Sequence, residues 1–416
     1  MKHVILGAGP CGVVAAETLR KNDPDCEIVL VGDEPELPYS RMAIPYLLIG
    51  NIEEKGTHIK GSNTFYEDNR ITVRQNRAEN VDAKNKKVTL CNGDVETYDK
   101  LLVATGSRPV KPPIDGLQYP GVHHCWTLED ARNIVELAHE GAHVVLLGAG
   151  FIGCIILEAL ALRKVKLTVI EMGDRMVPRM LDENAGSMLK EWCQFKGVSV
   201  HTNSKITKLE PNPAVGEDTL LVDLDNGNQI PAHLVVVAAG VAPNVDFLDD
   251  AGVKMDQGIV INRQMMTTGT DIFAAGDVAQ GFDFSTGGQS VHAIQPTATE
   301  HGRVAALNML GKETTYNGSL VMNVLDTLGL ISASFGQWEG VEAGDQVIKL
   351  DKENYRYIRL EFDGDLLIGA QALGRTDHIG VLRGLIQSRV KLGKWKEKLM
   401  QDPHRVMEAY IACTQG

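Results

Sequence analysis

Apolar residues in this chain fall into short unbroken runs, each followed by glycine and then by residues at helical spacing. Residues 1–6 are the first run, leading into Gly7-Ala8-Gly9-Pro10-Cys11-Gly12, after which residues 13–20 carry a helical pattern. The same order returns at residues 143–147, at Gly148-Ala149-Gly150-Phe151-Ile152-Gly153 and at residues 154–163. A run without polar alternation predicts a strand covered on both faces, and the period that follows predicts the helix covering it. Similar runs at 27–31, 101–104, 166–170, 234–239 and 272–275 extend the pattern. Beyond Tyr316 the pattern shifts to short strands followed by helix, with strands expected at 323–330 and 357–362 and a turn at Gly364. The predicted class is α/β: two Rossmann-like nucleotide-binding domains plus a C-terminal α+β domain.

Each glycine turn sits between a strand and a helix, and that setting gives its glycines distinct tasks. The first permits the turn, the second lets the backbone approach a pyrophosphate, and the third lets helix pack on strand, with the helix N-terminus supplying positive potential. Two such turns imply two dinucleotides. The second unit's next strand ends in Glu171, placed to accept hydrogen bonds from an adenosine ribose. A carboxylate there favours NAD by repelling the 2′-phosphate of NADP, although Arg175 leaves some tolerance of that phosphate open. In the first unit the corresponding position falls on Gly32, and Asp33 is the nearer acid.

At 416 residues the chain has room for two or three domains. Its formal charge of -13 argues against nucleic acid or an anionic membrane as a general partner. Residues 381–405 depart from that trend, carrying Arg383, Arg389, Lys391, Lys394, Lys396, Lys398 and Arg405 against Glu397 and Asp402. The tract reads as a solvated face or as a dock for an acidic partner protein. A first strand beginning at residue 2 leaves no space for a signal peptide, so a cytoplasmic protein is expected. No run reaches the roughly 18 apolar residues of a membrane span. The seven cysteines include no Cys-x-x-Cys or other close pair, which gives no zinc, iron–sulfur or disulfide spacing and no metal site. Cys11 and Cys154 lie at the nucleotide turns, with packing as their expected role.

Two further signatures complete the set. A strand ending in Ala104-Thr105-Gly106-Ser107-Arg108-Pro109 has a near copy in Ala238-Ala239-Gly240-Val241-Ala242-Pro243-Asn244, and the run at 272–275 ends in Gly276-Asp277. These motifs, in this order, resemble the two-dinucleotide-binding-domain flavoprotein reductases of the pyridine nucleotide-disulfide oxidoreductase superfamily, over about residues 1–310. The resemblance implies FAD at the first turn, on Gly7, Gly9, Pro10, Gly12, Asp33, Arg41, Ala104, Thr105, Gly106 and Gly276, with Asp277 on the ribityl chain. It implies NAD(H), with NADP(H) disfavoured, on Gly148, Gly150, Phe151, Ile152, Gly153, Glu171 and Gly240. The implied layout is an FAD domain of residues 1–112 and 246–315, an NAD domain of 113–245 and an interface domain of 316–416 that often forms a homodimer.

The resemblance also shows what is missing. The disulfide-reducing branches carry a redox cysteine where this chain has Met42, in Tyr39-Ser40-Arg41-Met42-Ala43-Ile44-Pro45-Tyr46. A thioether forms neither thiolate nor mixed disulfide, so thiol-mediated catalysis is expected to be absent. The segment also resembles that of the ferredoxin, rubredoxin and nitrite reductase flavoproteins, although Tyr46 stands at their lysine and Ile155 at the glutamate that pairs with it. The expected activity is transfer of electrons from NADH through FAD to an external carrier or partner subunit. Reduction of dioxygen and a subunit role in a larger redox complex are the alternatives. No side chain need act as acid or base; Arg41 and Tyr46 are the candidates nearest the chemistry.

Overall fold

The structure is a computed structural model and describes residues 1–212, 219–249 and 251–414. The chain divides into two compact units. One comprises Met1–Leu47, Ile52–Arg108 and Val241–Ser319; the other comprises Leu48–Asn51, Pro109–Gly240 and Leu320–Gly416.

In the first unit a five-stranded parallel sheet has Lys2–Leu6 at its centre, flanked by Lys100–Val103 and Glu27–Gly32, with Ile272–Ala274 and Ile71–Gln75 outermost. Val4, Ile5, Leu101, Leu102 and Leu30 are fully buried, as expected of strands covered on both faces. The register decides the function. Leu6 lies opposite both Val31 and Val103, and Ala274 lies opposite Val103. Four chain segments therefore leave the sheet at one edge, the carboxyl ends of its strands, where open α/β sheets bind ligands. The helix Pro10–Asn22 covers the sheet and crosses the helix Gln295–Met309. Their approach is so close that a Cβ on Gly302 would stand 2.3 Å from the carbonyl oxygen of Cys11.

The second unit repeats this plan. His143–Leu147 is central between Lys166–Ile170 and Leu234–Val237, with Ser199–His201 and Val122–His123 outside, all parallel. Leu147 faces both Ile170 and Val237, so Gly148, Glu171 and Ala238 emerge together. The same unit holds an antiparallel sheet in the order Met322–Thr327, Leu330–Gly336, Leu366–Leu373, Arg356–Asp363, Asp345–Asp351. Three helices follow: Ile379–Gln387, Lys394–Gln401 and Val406–Thr414. The single strand expected at 323–330 is in fact two. Leu328 and Gly329 both take positive φ, 55° and 86°, and form the two-residue hairpin turn that ends one strand before Leu330 begins the next.

Candidate functional site

The two glycine turns are built alike, bond for bond. Gly7 N–H donates to Val31 O at 2.8 Å, and Gly148 N–H donates to Ile170 O at 2.8 Å. Gly7 and Gly148 hold φ of 112° and 103°, where a Cβ would stand 2.1 Å from Ala104 O and 2.5 Å from Ala238 O. The third glycines are equally confined, since a Cβ on Gly12 or Gly153 would meet the carbonyl oxygen of Gly7 or Gly148 at 2.0 or 2.2 Å. The middle glycines differ. At Gly9 and Gly150 an added Cβ meets nothing within 4 Å. Both are the N-caps of their helices, and neither helix has a side-chain cap. Each turn is therefore an open cradle with helix amides at its base, which fits a pyrophosphate.

Around the first cradle a cleft of about 300 Å³ is lined by Gly7, Gly32, Asp33, Arg41 and Thr105. The structure thus brings these predicted residues together. Val31 O and Ile170 O perform the same task, so Gly32 and Glu171 are equivalent. A Cβ on Gly32 would stand 2.7 Å from the Cβ of Ala8, which leaves Asp33 to bring the acid to the cleft. Asn76, Arg77, Glu79, Arg108 and Asn244 also line it, and sequence reasoning did not select them. Asn244 had a signal, its place in the near copy of the first small-residue turn. It donates to Thr105 O at 2.9 Å while Thr105 Oγ1 donates to Asn244 O at 2.8 Å. Residues 76–79 had none.

Gly276 and Asp277 stand against the same helix. A Cβ on Gly276 would be 3.3 Å from the Cβ of Cys11, and Gly276 N–H points to Nδ1 of His301 at 3.4 Å. Burial raises the Asp277 carboxyl to about 6, with Arg41 opposing the shift. Asp277 makes no hydrogen bond among the described residues, so its acceptors remain for a ligand hydroxyl. An open cradle beside a half-buried carboxylate whose oxygens accept no hydrogen bond among the described residues fits a flavin dinucleotide. Cys11 is buried, and burial first, and Asp277 second, push its thiol up. Burial likewise raises the Cys154 thiol, which donates to Ala149 O at 3.5 Å.

Arg41 and Tyr46 part company. Arg41 pairs with Glu34 at 2.6 Å, and the hydroxyl of Tyr39 donates to the other oxygen of the same carboxylate. Glu34 was missed because no motif marks a carboxylate that orients an arginine. Tyr46 is 56% exposed and makes no hydrogen bond among the described residues. Met42, expected from the sequence at the redox-cysteine position, is 50% exposed.

At the second cradle Glu171 Oε2 accepts from Ala149 N–H at 2.6 Å and Oε1 from Gly173 N–H at 2.7 Å. Arg175 is held elsewhere, its Nη1 donating to both carboxylate oxygens of Asp174 at 2.9 Å and its Nε to Leu181 O at 3.0 Å. Phe151 and Ile152 open the helix beside Gly150. Gly240 is exposed, two residues beyond Ala238. In the basic tract Lys396 is not free, since it bonds Asp345 and Gly364 O at 2.6 and 2.5 Å. Lys398 and Arg405 instead lie over the ring of Trp395 at 4.0 and 5.2 Å.

Residues 1–302 match the pyridine nucleotide-disulphide oxidoreductase family. This chain belongs to that family. Over 417 aligned positions it is 30% identical to the NADH-dependent phenylglyoxylate dehydrogenase subunit epsilon of Aromatoleum evansii, covering 99% of this chain and 98% of that one. It is 31% identical to an NADH oxidase of Methanocaldococcus jannaschii, over 76% of this chain and 71% of the other. A solved NAD-dependent persulfide reductase from A. fulgidus superposes with a TM-score of 0.86 at 29% identity, covering 95% of this chain and 78% of that one. The fold class read from the sequence is that of the family. No helix among the described residues is long and apolar enough to cross a membrane.

Proposed function

We propose that this protein is an FAD-dependent oxidoreductase that takes electrons from NADH and delivers them to an external carrier protein or partner subunit, without a redox-active cysteine. The observation that carries this reading is Met42, half exposed where the disulfide-reducing branches place their thiol. Cys11, the cysteine at the first cradle, is buried with its thiol pushed up. FAD supplies the conversion between two-electron and one-electron transfer. The chain supplies position: Gly7, Gly9 and Gly12 shape the first cradle, Asp277 accepts from the ribityl chain, and Glu34 holds Arg41 toward the cleft. Gly148, Gly150 and Gly153 shape the second cradle, whose acid is Glu171. Arg175, tied to Asp174 and Leu181, is withheld from a 2′-phosphate, which supports NADH over NADPH.

Under this reading Met1–Arg108 and Val241–Ser319, apart from Leu48–Asn51, hold FAD, and Pro109–Gly240 holds NADH. The end-to-end match to a dehydrogenase subunit supports a partner subunit as the redox partner. The free cysteines among the described residues support a reducing, cytoplasmic location. Trp395 with Lys398 and Arg405 forms the part of the basic tract suited to an acidic partner. The match to an NADH oxidase supports dioxygen as the competing acceptor.

The test is NADH-driven turnover of purified protein with ferredoxin, rubredoxin or air, each offered alone. Reduction of a protein carrier well above the aerobic rate is expected. Fast aerobic consumption with no carrier effect would transfer the assignment to the oxidase reading.

A further inference from the structure

Residues 171–182, the segment that follows the Glu171 strand, form a bridge with one end on the glycine turn and the other on the antiparallel C-terminal sheet. At the first end Ala149 is gripped twice: its N–H donates to Glu171, and its carbonyl accepts from Val177 N–H at 2.8 Å. Val177 is fully buried with φ of 51°, a left-handed conformation that a β-branched residue adopts only when its surroundings hold it there.

At the other end the holders come from the C-terminal sheet. Gln371, with no exposed surface, donates from Nε2 to Met180 O at 3.0 Å and accepts from Asp182 N–H at 3.4 Å. Asp182 caps the helix Glu183–Phe195 through Oδ1, which accepts from Ala185 N–H at 3.0 Å. Its other oxygen accepts from the hydroxyl of Tyr357 and from Nη1 of Arg359 at 3.2 Å. Arg359 is in turn fixed by Glu361 at 2.5 Å. The same sheet meets this helix at a second place, where Nε1 of Trp192 donates to Thr327 O and Leu328 O at 3.1 and 3.2 Å, hydrogen bonds that do not involve residues 171–182.

We infer that Gln371 and Tyr357 of the C-terminal sheet are positioning residues for NADH, holding the 171–182 segment in the strained form that sets Ala149 and Glu171 at the nucleotide cradle. The inference rests on the second glycine turn being the NADH site. The C-terminal sheet then acts on the nucleotide without contacting it.

The test compares Gln371→Leu, Tyr357→Phe and Trp192→Phe in the flavin-loaded protein, measuring KM and kcat for NADH with a small artificial acceptor, NADH affinity by fluorescence, and flavin content. Gln371→Leu and Tyr357→Phe are expected to weaken NADH binding about five-fold or more, the effect of a buried hydrogen bond. Saturated turnover and flavin content stay near wild type. Trp192→Phe, which loosens the same sheet away from the segment, leaves KM unchanged. Equal weakening in all three variants, or unchanged NADH affinity in the mild Tyr357→Phe variant, would overturn the inference. A wild-type protein that fails to bind NADH would instead remove the site reading itself.

Discussion

The carboxylate of Glu171 accepts a 2.6 Å hydrogen bond from the amide of Ala149, so the acid proposed to discriminate the nucleotide also braces the second glycine turn. Glu171→Ala removes both tasks, and a hydrogen bond to a charged group contributes about 1.5–3 kcal/mol. NADH affinity should fall roughly ten-fold or more, and the preference for NADH over NADPH should narrow. Paired affinities for the two nucleotides check this; an unaltered preference would confine Glu171 to bracing.

The open middle glycines allow the two proposed cofactor sites to be tested separately. Gly9→Ala and Gly150→Ala add a methyl group that meets no protein atom. Both variants should unfold within about 1 kcal/mol of wild type, the usual cost of alanine at a helix N-cap. Gly9→Ala should lose flavin, whereas Gly150→Ala should keep flavin and lose NADH reduction. Absorbance spectra and unfolding curves of the two variants test the pair. Gly12→Ala, driven against Gly7 O at 2.0 Å, should fail to fold.

Acid should weaken the flavin unit through His301, which burial depresses from 6.5 to about 4. His3, also fully buried, is lowered to about 4 by burial. Both are neutral in the fold, while the unfolded chain takes up their protons near pH 6.5. Their stabilisation is therefore complete above that pH and is lost as pH falls from 6.5 towards 4, by roughly 3 kcal/mol each. His301→Gln keeps an acceptor for Gly276 N–H and should remove one share. Denaturant midpoints at pH 7 and 4.5 decide it; the same acid loss in the variant would exclude His301.

Charge reversal in the basic tract should have two outcomes. Lys394→Glu with Lys398→Glu should slow reduction of an acidic carrier and flatten its salt dependence, leaving turnover with a small acceptor unchanged. Lys396→Glu should lower the thermal midpoint instead, because Lys396 fastens its helix to Asp345 and Gly364. Unchanged carrier rates in the double variant would remove the docking role.

The sheets and cradles were legible because their signals are local. Val4-Ile5-Leu6 and Val144-Val145-Leu146 announce strands covered on both sides, and the glycine spacing follows from which positions tolerate a Cβ. The hairpin at Leu328-Gly329 was hidden because apolar residues continue through the turn and only backbone conformation separates the strands. Residues 76–79 were illegible for another reason. They reach the first cleft through strand order, which brings Ile71–Gln75 beside Glu27–Gly32 in space with no common motif. The tract at 381–405 was legible as charge, whereas the anchoring of Lys396 to Asp345 and Gly364 depends on tertiary packing that no motif marks.

The most direct measurement is an anaerobic titration of the purified, flavin-loaded protein with NADH, following visible flavin absorbance, with NADPH in parallel. The account predicts bleaching at close to one equivalent of NADH per chain, much weaker bleaching by NADPH, and recovery of colour on adding a one-electron carrier. A protein that binds no flavin, or whose bound flavin stays oxidised in excess NADH, would contradict it.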